Sequence, residues 1–208
     1  MSGCGSSSIK LEKYSEKALQ EYAELTASAE GKPFVGSVAA LVSALAAALG
    51  SLAVNLAGSE AEARVKTAAD ELNQMRVYML NTVDDDTKAR APLNRRKQKP
   101  EEKDHLESAA RVACGIPSDM VFVMCRCIEL LDQISDVCNA EGAVCIVTAV
   151  HLSLAVIYSM QAEIRALSKY MQDEVFVRTI IREAEMHLEQ HQSMADALLE
   201  KMQKKMME

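Results

Sequence analysis

Residues 38–57 are almost entirely Ala, Leu, Val, Ser and Gly, interrupted by Asn55. Side chains this small let neighbouring backbones approach closely, so the segment suits the centre of a helical bundle. It is entered through Pro33-Phe34-Val35-Gly36-Ser37, a turn that runs straight into a helix start. With four prolines, eight glycines, no Trp and 4% aromatic residues among 208, the chain is rich in good helix formers and poor in strand formers. The expected fold is all-α, a single-domain helical bundle with two buried apolar helices. No Ser/Gly/Pro-rich linker divides it. Residues 1–8 read as a disordered lead-in and 9–208 as the helical domain.

A net charge of −7 argues against a general nucleic-acid surface, which needs cations to displace counterions from phosphates. Six cysteines at 4, 114, 125, 127, 138 and 145 form no Cys-x-x-Cys unit and sit mostly within apolar helical patterns. They read as reduced thiols in a cytoplasmic protein rather than a zinc or disulfide framework. Residues 38–57 and 143–160 approach the length of a membrane span. Ser43, Gly50, Ser51 and Asn55 in the first, and Thr148, His151 and Ser153 in the second, make them core helices instead. The N-terminus has no basic stretch followed by an apolar run, so no membrane association is expected.

Hydrophobic spacing divides the chain further. Leu11, Tyr14, Ala18, Tyr22 and Leu25 mark a first amphipathic helix over 9–30, ended by Gly31-Lys32-Pro33. Gly58-Ser59 breaks the small-residue helix, and Ser59 with Glu62 predicts a capping box on a third helix reaching about Thr82. Asp84-Asp85-Asp86 then leads into a polar stretch with Pro92, the basic run and Pro100. Gly115-Ile116-Pro117 is expected to close one helix and open the next. The turn Asn139-Ala140-Glu141-Gly142 precedes a second buried helix over 143–170, and a charged amphipathic helix starts near Asp173.

Few constellations suggest chemistry on their own. Glu183, His187 and His191 share one helix face at four-residue spacing, but without an HExxH pattern they read as a solvated face, and no metal site is expected. His151 reads as a hydrogen-bonded core residue. The acidic run at 84–86 either supplies a general base or solvates a helix end. The cluster Arg95, Arg96, Lys97 and Lys99 either attracts a carboxylate-rich ligand or serves solubility. No phosphate loop, nucleophile elbow or Ser/His/Asp set is present.

Taken in order, the Pro-turn-Gly-Ser-Val-Ala-Ala-Leu opening, Ala53-Val54-Asn55-Leu56, Val83-Asp84-Asp85-Asp86 and Gly115-Ile116-Pro117 carry more than each does singly. Together with Ala143-Val144, Arg165 and Asp173-Glu174-Val175-Phe176, they make the chain resemble the formiminotransferase-cyclodeaminase C-terminal family. The resemblance implies an all-α homodimer that binds a reduced folate as substrate, holds no permanent cofactor, and works at the one-carbon bridge. The reaction would be cyclodeamination of 5-formimino-tetrahydrofolate to the 5,10-methenyl form, or hydrolysis of that methenyl bridge. It makes Asp86, then Asp84, the acid/base candidates. Gly36, Ser37 and Arg165 become pocket residues, with Arg95, Arg96, Lys97 and Lys99 drawing the glutamate tail by charge.

The family pattern is altered in three places. Phe34 and Val35 replace glycines of its Pro-Gly-Gly-Gly-Ser turn, and their bulk is expected to narrow the space. Cys145-Ile146 stand where the family has Ser-Asp. Glu163-Ile164-Arg165-Ala166-Leu167 stands for Asn-x-Arg-x-Asn. These changes frame the alternative, a catalytically degenerate relative that serves as a ligand-binding or scaffolding bundle.

Overall fold

The computed structural model describes residues 13–28, 33–97 and 103–207, and among them the regular structure is entirely helical. A 3-10 turn at Tyr14–Glu16 precedes α1 (Leu19–Thr26), α2 (Val35–Ala57), α3 (Ser59–Arg64), α4 (Lys66–Lys97), α5 (Lys103–Ile134), α6 (Ala140–Ser168) and α7 (Glu174–Lys205). The segment 1–8 and Lys99 lie outside the described residues.

Helix α2 packs along α4 and α6 and also touches α5; α5 in turn packs on α4 and α6, and α7 lies across α5 and α6. The small-residue stretch does what its composition requires: Ala40, Ala46, Ala47 and Ala53 are completely buried. Leu72, Met79, Met124, Ile128, Leu131, Ile157 and Met160 fill the space around it. Both α2 and α6 are long and apolar enough to cross a membrane, yet about half of each, 56% and 50% over the apolar window, is buried in the bundle. The other side of α2 stays uncovered, with Leu45 52%, Leu52 43% and Leu56 38% exposed.

Several boundaries differ from the sequence expectation, among them a break at Val65 within the expected third helix. The described part of the first segment is a 3-10 turn and the short α1, separated at Lys17 and Ala18, not one long helix. Ser59 is the first residue of α3 rather than its cap. Gly58, at φ +92°, occupies the cap position and donates its N–H to the Asn55 carbonyl, so no capping box forms. Helix α4 runs unbroken through the acidic triplet and past Pro92, and α5 runs through Gly115 and Pro117. In each, buried residues continue at helical spacing on both sides of the proline: Met75, Met79, Val83, Asp86 and Leu93 in α4, and Ala110, Ala113, Cys114, Met120, Val121 and Met124 in α5. One lost backbone hydrogen bond at each proline is outweighed by an apolar face that stays in phase.

Asn139 and Asp173 cap α6 and α7, and α6 therefore starts inside the turn expected at 139–142. Asn139 Oδ1 accepts from Gly142 N at 2.8 Å, while its Nδ2 donates to the Leu56 carbonyl at 2.9 Å, tying the start of α6 to the end of α2. Asp173 accepts from Val175 N and Phe176 N, and Arg111 of α5 holds the same carboxylate at 2.9 Å.

Candidate functional site

The first turn of α2 lies against the middle of α4, and a carboxylate fills the junction. Asp86 is completely buried, and its Oδ2 accepts from the backbone N–H of Ser37 at 3.1 Å. This N–H belongs to the first turn, which has no partner within its own helix. The Ser37 hydroxyl donates to the Val83 carbonyl at 2.6 Å, so both ends of Ser37 are anchored to α4. Gly36 is glycine for a steric reason: a Cβ built there would overlap the Asp86 carboxylate itself. The close backbone approach that a glycine turn permits is thus used by a protein side chain.

Other charged groups converge on the same place. Arg90, one helical turn along α4 from Asp86, has its side chain only 14% exposed and pairs with Glu163 of α6, itself 5% exposed. Arg90 Nε stands 3.6 Å from Asp86 Oδ1, beyond hydrogen-bonding distance, and among the described residues neither these atoms nor the Glu163 carboxylate oxygens have a hydrogen-bond partner. The Arg90 guanidinium also lies 5.6 Å from the centre of the Phe34 ring. The buried Tyr22 hydroxyl of α1 has no hydrogen-bond partner among the described residues either. Burial, then the charges of Asp86 and Asp84, push its pKa up to about 12.

One cation among two buried carboxylates leaves a net negative charge in low dielectric. Burial pushes the Asp86 carboxyl above the ordinary aspartate range, against the opposing pull of Arg90 and Ser37. A carboxyl group in this state holds its proton more firmly than a solvated one.

The sequence candidates separate once placed. Asp84 and Asp86, two residues apart, point about 200° from each other around α4. Asp84 accepts from Tyr14 N at 2.6 Å, Ser15 N at 3.3 Å and Ser15 Oγ at 2.5 Å, fastening the 3-10 turn to the bundle. Gly36, Ser37 and Asp86 come together. Arg165 does not join them: it is exposed and bonds Glu185 of α7 at 2.8 Å. Among the basic residues, Arg95 is exposed, Arg96 donates to the His105 carbonyl at 3.2 Å, and Lys97 Nζ sits 4.3 Å from the centre of the Tyr170 ring. Val35, expected to crowd the turn, is 60% exposed and points away; Phe34 alone faces the charged group.

The histidine face is also committed elsewhere. His191 Nε2 lies 2.9 Å from Glu129 and its Nδ1 2.8 Å from the His187 carbonyl, while His187 meets Phe122 edge to face. Among the described residues no group of three or more His, Cys, Asp or Glu side chains is placed to hold a metal.

Arg90, Glu163 and Tyr22 were not singled out as site residues from the sequence. A signal existed for two of them: Arg90 is four residues from Asp86 on a core-facing stripe, and Glu163 follows Met160 by three within the apolar pattern of α6. A charge at a core position of a helix needs a partner, and these two are each other's.

Comparison with known proteins agrees with the fold. A family model described as formiminotransferase-cyclodeaminase matches residues 18–186, most of the chain. The crystal structure of formiminotetrahydrofolate cyclodeaminase from Thermotoga maritima superposes with a TM-score of 0.79 at 19% identity, covering 92% of this chain and 96% of that one. At that identity the likeness is one of fold. No curated protein sequence matches.

Proposed function

Because the chain belongs to the formiminotransferase-cyclodeaminase family, we propose that it is a folate-dependent one-carbon enzyme acting at the N5–N10 bridge of tetrahydrofolate, with Asp86 as the proton-transfer group. The observation that carries this is the Asp86 carboxyl, fully buried, with Oδ2 fixed on Ser37 and Oδ1 without a hydrogen-bond partner.

Both candidate reactions need one group to move a proton beside a cationic carbon. In cyclodeamination the formimino group reacts in its protonated, amidinium form: N10 attacks its carbon, the Asp86 carboxylate takes the N10 proton and passes it to the amine, and the carbon–amine bond breaks to release ammonia and the methenyl cation. In hydrolysis, water adds to the methenyl carbon and loses one proton, which is released to solvent. The hydroxyl proton then moves to N5 as the carbon–N5 bond opens, leaving the formyl group on N10. In cyclodeamination, ionised carboxylates beside the bridge favour the cation as it forms.

Two further features of the reading are supported by the surface and core. The uncovered α2 stripe of Leu45, Leu52 and Leu56 suits a homodimer interface. The five described cysteines are free, in keeping with a cytoplasmic protein. Arg95, Arg96 and Lys97 remain the proposed attraction for a folate glutamate tail, a role that rests on charge.

The test follows the absorbance band of the methenyl bridge in parallel reactions from 5-formimino-tetrahydrofolate and from 5,10-methenyl-tetrahydrofolate. Protein-dependent appearance in the first identifies a cyclodeaminase, and accelerated loss in the second a cyclohydrolase. No change in either with folded protein overturns the enzyme reading in favour of the degenerate, ligand-binding relative.

A further inference from the structure

We propose that Glu163 is a positioning residue: by holding the Arg90 guanidinium it keeps that cation from closing on Asp86 and leaves Asp86 Oδ1 free to take and give a proton. This rests on the reading of Asp86 as the proton-transfer group, although its physical content stands apart from any folate.

The buried Arg90 guanidinium has two carboxylates in reach. Arg90 and Asp86 are separated by one turn of the same helix, the spacing at which an ion pair ordinarily closes. Here it closes only to an ion pair without a hydrogen bond. Nε and Oδ1 stand 3.6 Å apart with no hydrogen-bond partner on either, while the other end of the guanidinium meets Glu163 from α6. Phe34 lies alongside the guanidinium and limits where it can go. Glu163 and Asp86 therefore share one cation, which lies nearer Glu163 and makes no hydrogen bond to Asp86.

The groups around Asp86 come from every neighbouring element. Helix α4 supplies Arg90, with Asp84 on its far side, α1 the Tyr22 hydroxyl, α6 Glu163 through Arg90, and α5 Cys114, whose thiol burial pushes up to about 11 against the pull of Arg90. Helix α2 supplies the Ser37 N–H and hydroxyl. Asp84 already accepts three hydrogen bonds from the 3-10 turn, and Tyr22 and Cys114 are held neutral, so Arg90 is the group whose position can change the proton affinity of Asp86.

The substitution pattern fits. Glu163 stands where the family motif has the first Asn of Asn-x-Arg-x-Asn, so the neutral amide has become a carboxylate in the chain that carries Arg90 facing it.

The test is a 13C titration of protein labelled at aspartate carboxyl carbons, with the Asp86 resonance assigned by its loss in Asp86→Asn. In the wild type Asp86 should titrate above the ordinary aspartate range. Glu163→Gln should lower its proton affinity at least about tenfold as Arg90 closes on it, and Arg90→Leu added to Glu163→Gln should restore the high affinity. Glu163→Asn is the second variant should the Gln protein fail to fold. An unchanged or raised proton affinity in the folded Glu163 variant, or a double variant that titrates like it, overturns the proposal. The turnover assay separates the two readings: the expected titration without folate turnover removes the enzyme reading and leaves this one, whereas turnover with an unmoved titration does the reverse.

Discussion

Replacing Gly36 with Ala should reverse its effect on stability according to what occupies position 86. In the wild-type background the added methyl meets the Asp86 carboxylate at closer than van der Waals distance, and that carboxylate is pinned by Ser37 N and crowded by Arg90. The carboxylate must leave the Ser37 N–H, losing a charge-assisted hydrogen bond of about 1.5–3 kcal/mol. The preference of a helix for Ala over Gly returns up to about 1 kcal/mol. Gly36→Ala should therefore destabilise by about 1–2 kcal/mol. In an Asp86→Ala background the obstruction is gone, and the same change should stabilise by up to about 1 kcal/mol. A double-mutant cycle from urea denaturation reads the difference, a coupling of about 2 kcal/mol. Equal costs in both backgrounds would refute the claim that Gly36 is small because Asp86 occupies its side-chain space.

Asp86→Asn should be more stable than the wild type at neutral pH and lose that advantage in acid. Burial raises the Asp86 carboxyl pKa in the folded state, so its stabilising contribution is present below the unfolded pKa and lost as pH rises through the folded one; denaturation midpoints across that range check the sign. Asp84→Ala should cost about 1–3 kcal/mol by releasing the 3-10 turn, with turnover per folded molecule less affected than by a change at Asp86. Leu45→Glu, on the uncovered stripe of α2, should leave the helical content intact and convert a dimer to a monomer in sedimentation; an unchanged dimer would move the interface elsewhere.

The all-helical class was legible because composition and the stretch 38–57 allow little else, and α6 and α7 were legible from their apolar periodicity, although the Asn139 cap that starts α6 at Ala140 was read as part of a turn. Pro92 and Pro117 misled, since local propensity reads each as a boundary. The buried spacing of Val83, Asp86 and Leu93, and of Cys114, Pro117 and Met120, runs through them without a phase change, and tertiary packing decides. That phase also explains the site. Asp86 was legible by resemblance, but as part of a polar run. The stripe makes it a core residue, which turns an exposed acid into a buried one with a raised pKa. Arg90 and Glu163 come from different helices, 73 positions apart, and only the crossing of α4 and α6 joins them.

The most direct test of the account is to compare the wild type with Asp86→Asn in the methenyl-band assay, measuring binding of a stable reduced-folate analogue by calorimetry on the same samples. The account predicts turnover by the wild type, and a variant that is folded and binds the analogue but has lost turnover by at least about a hundredfold. Turnover retained by the variant would contradict it.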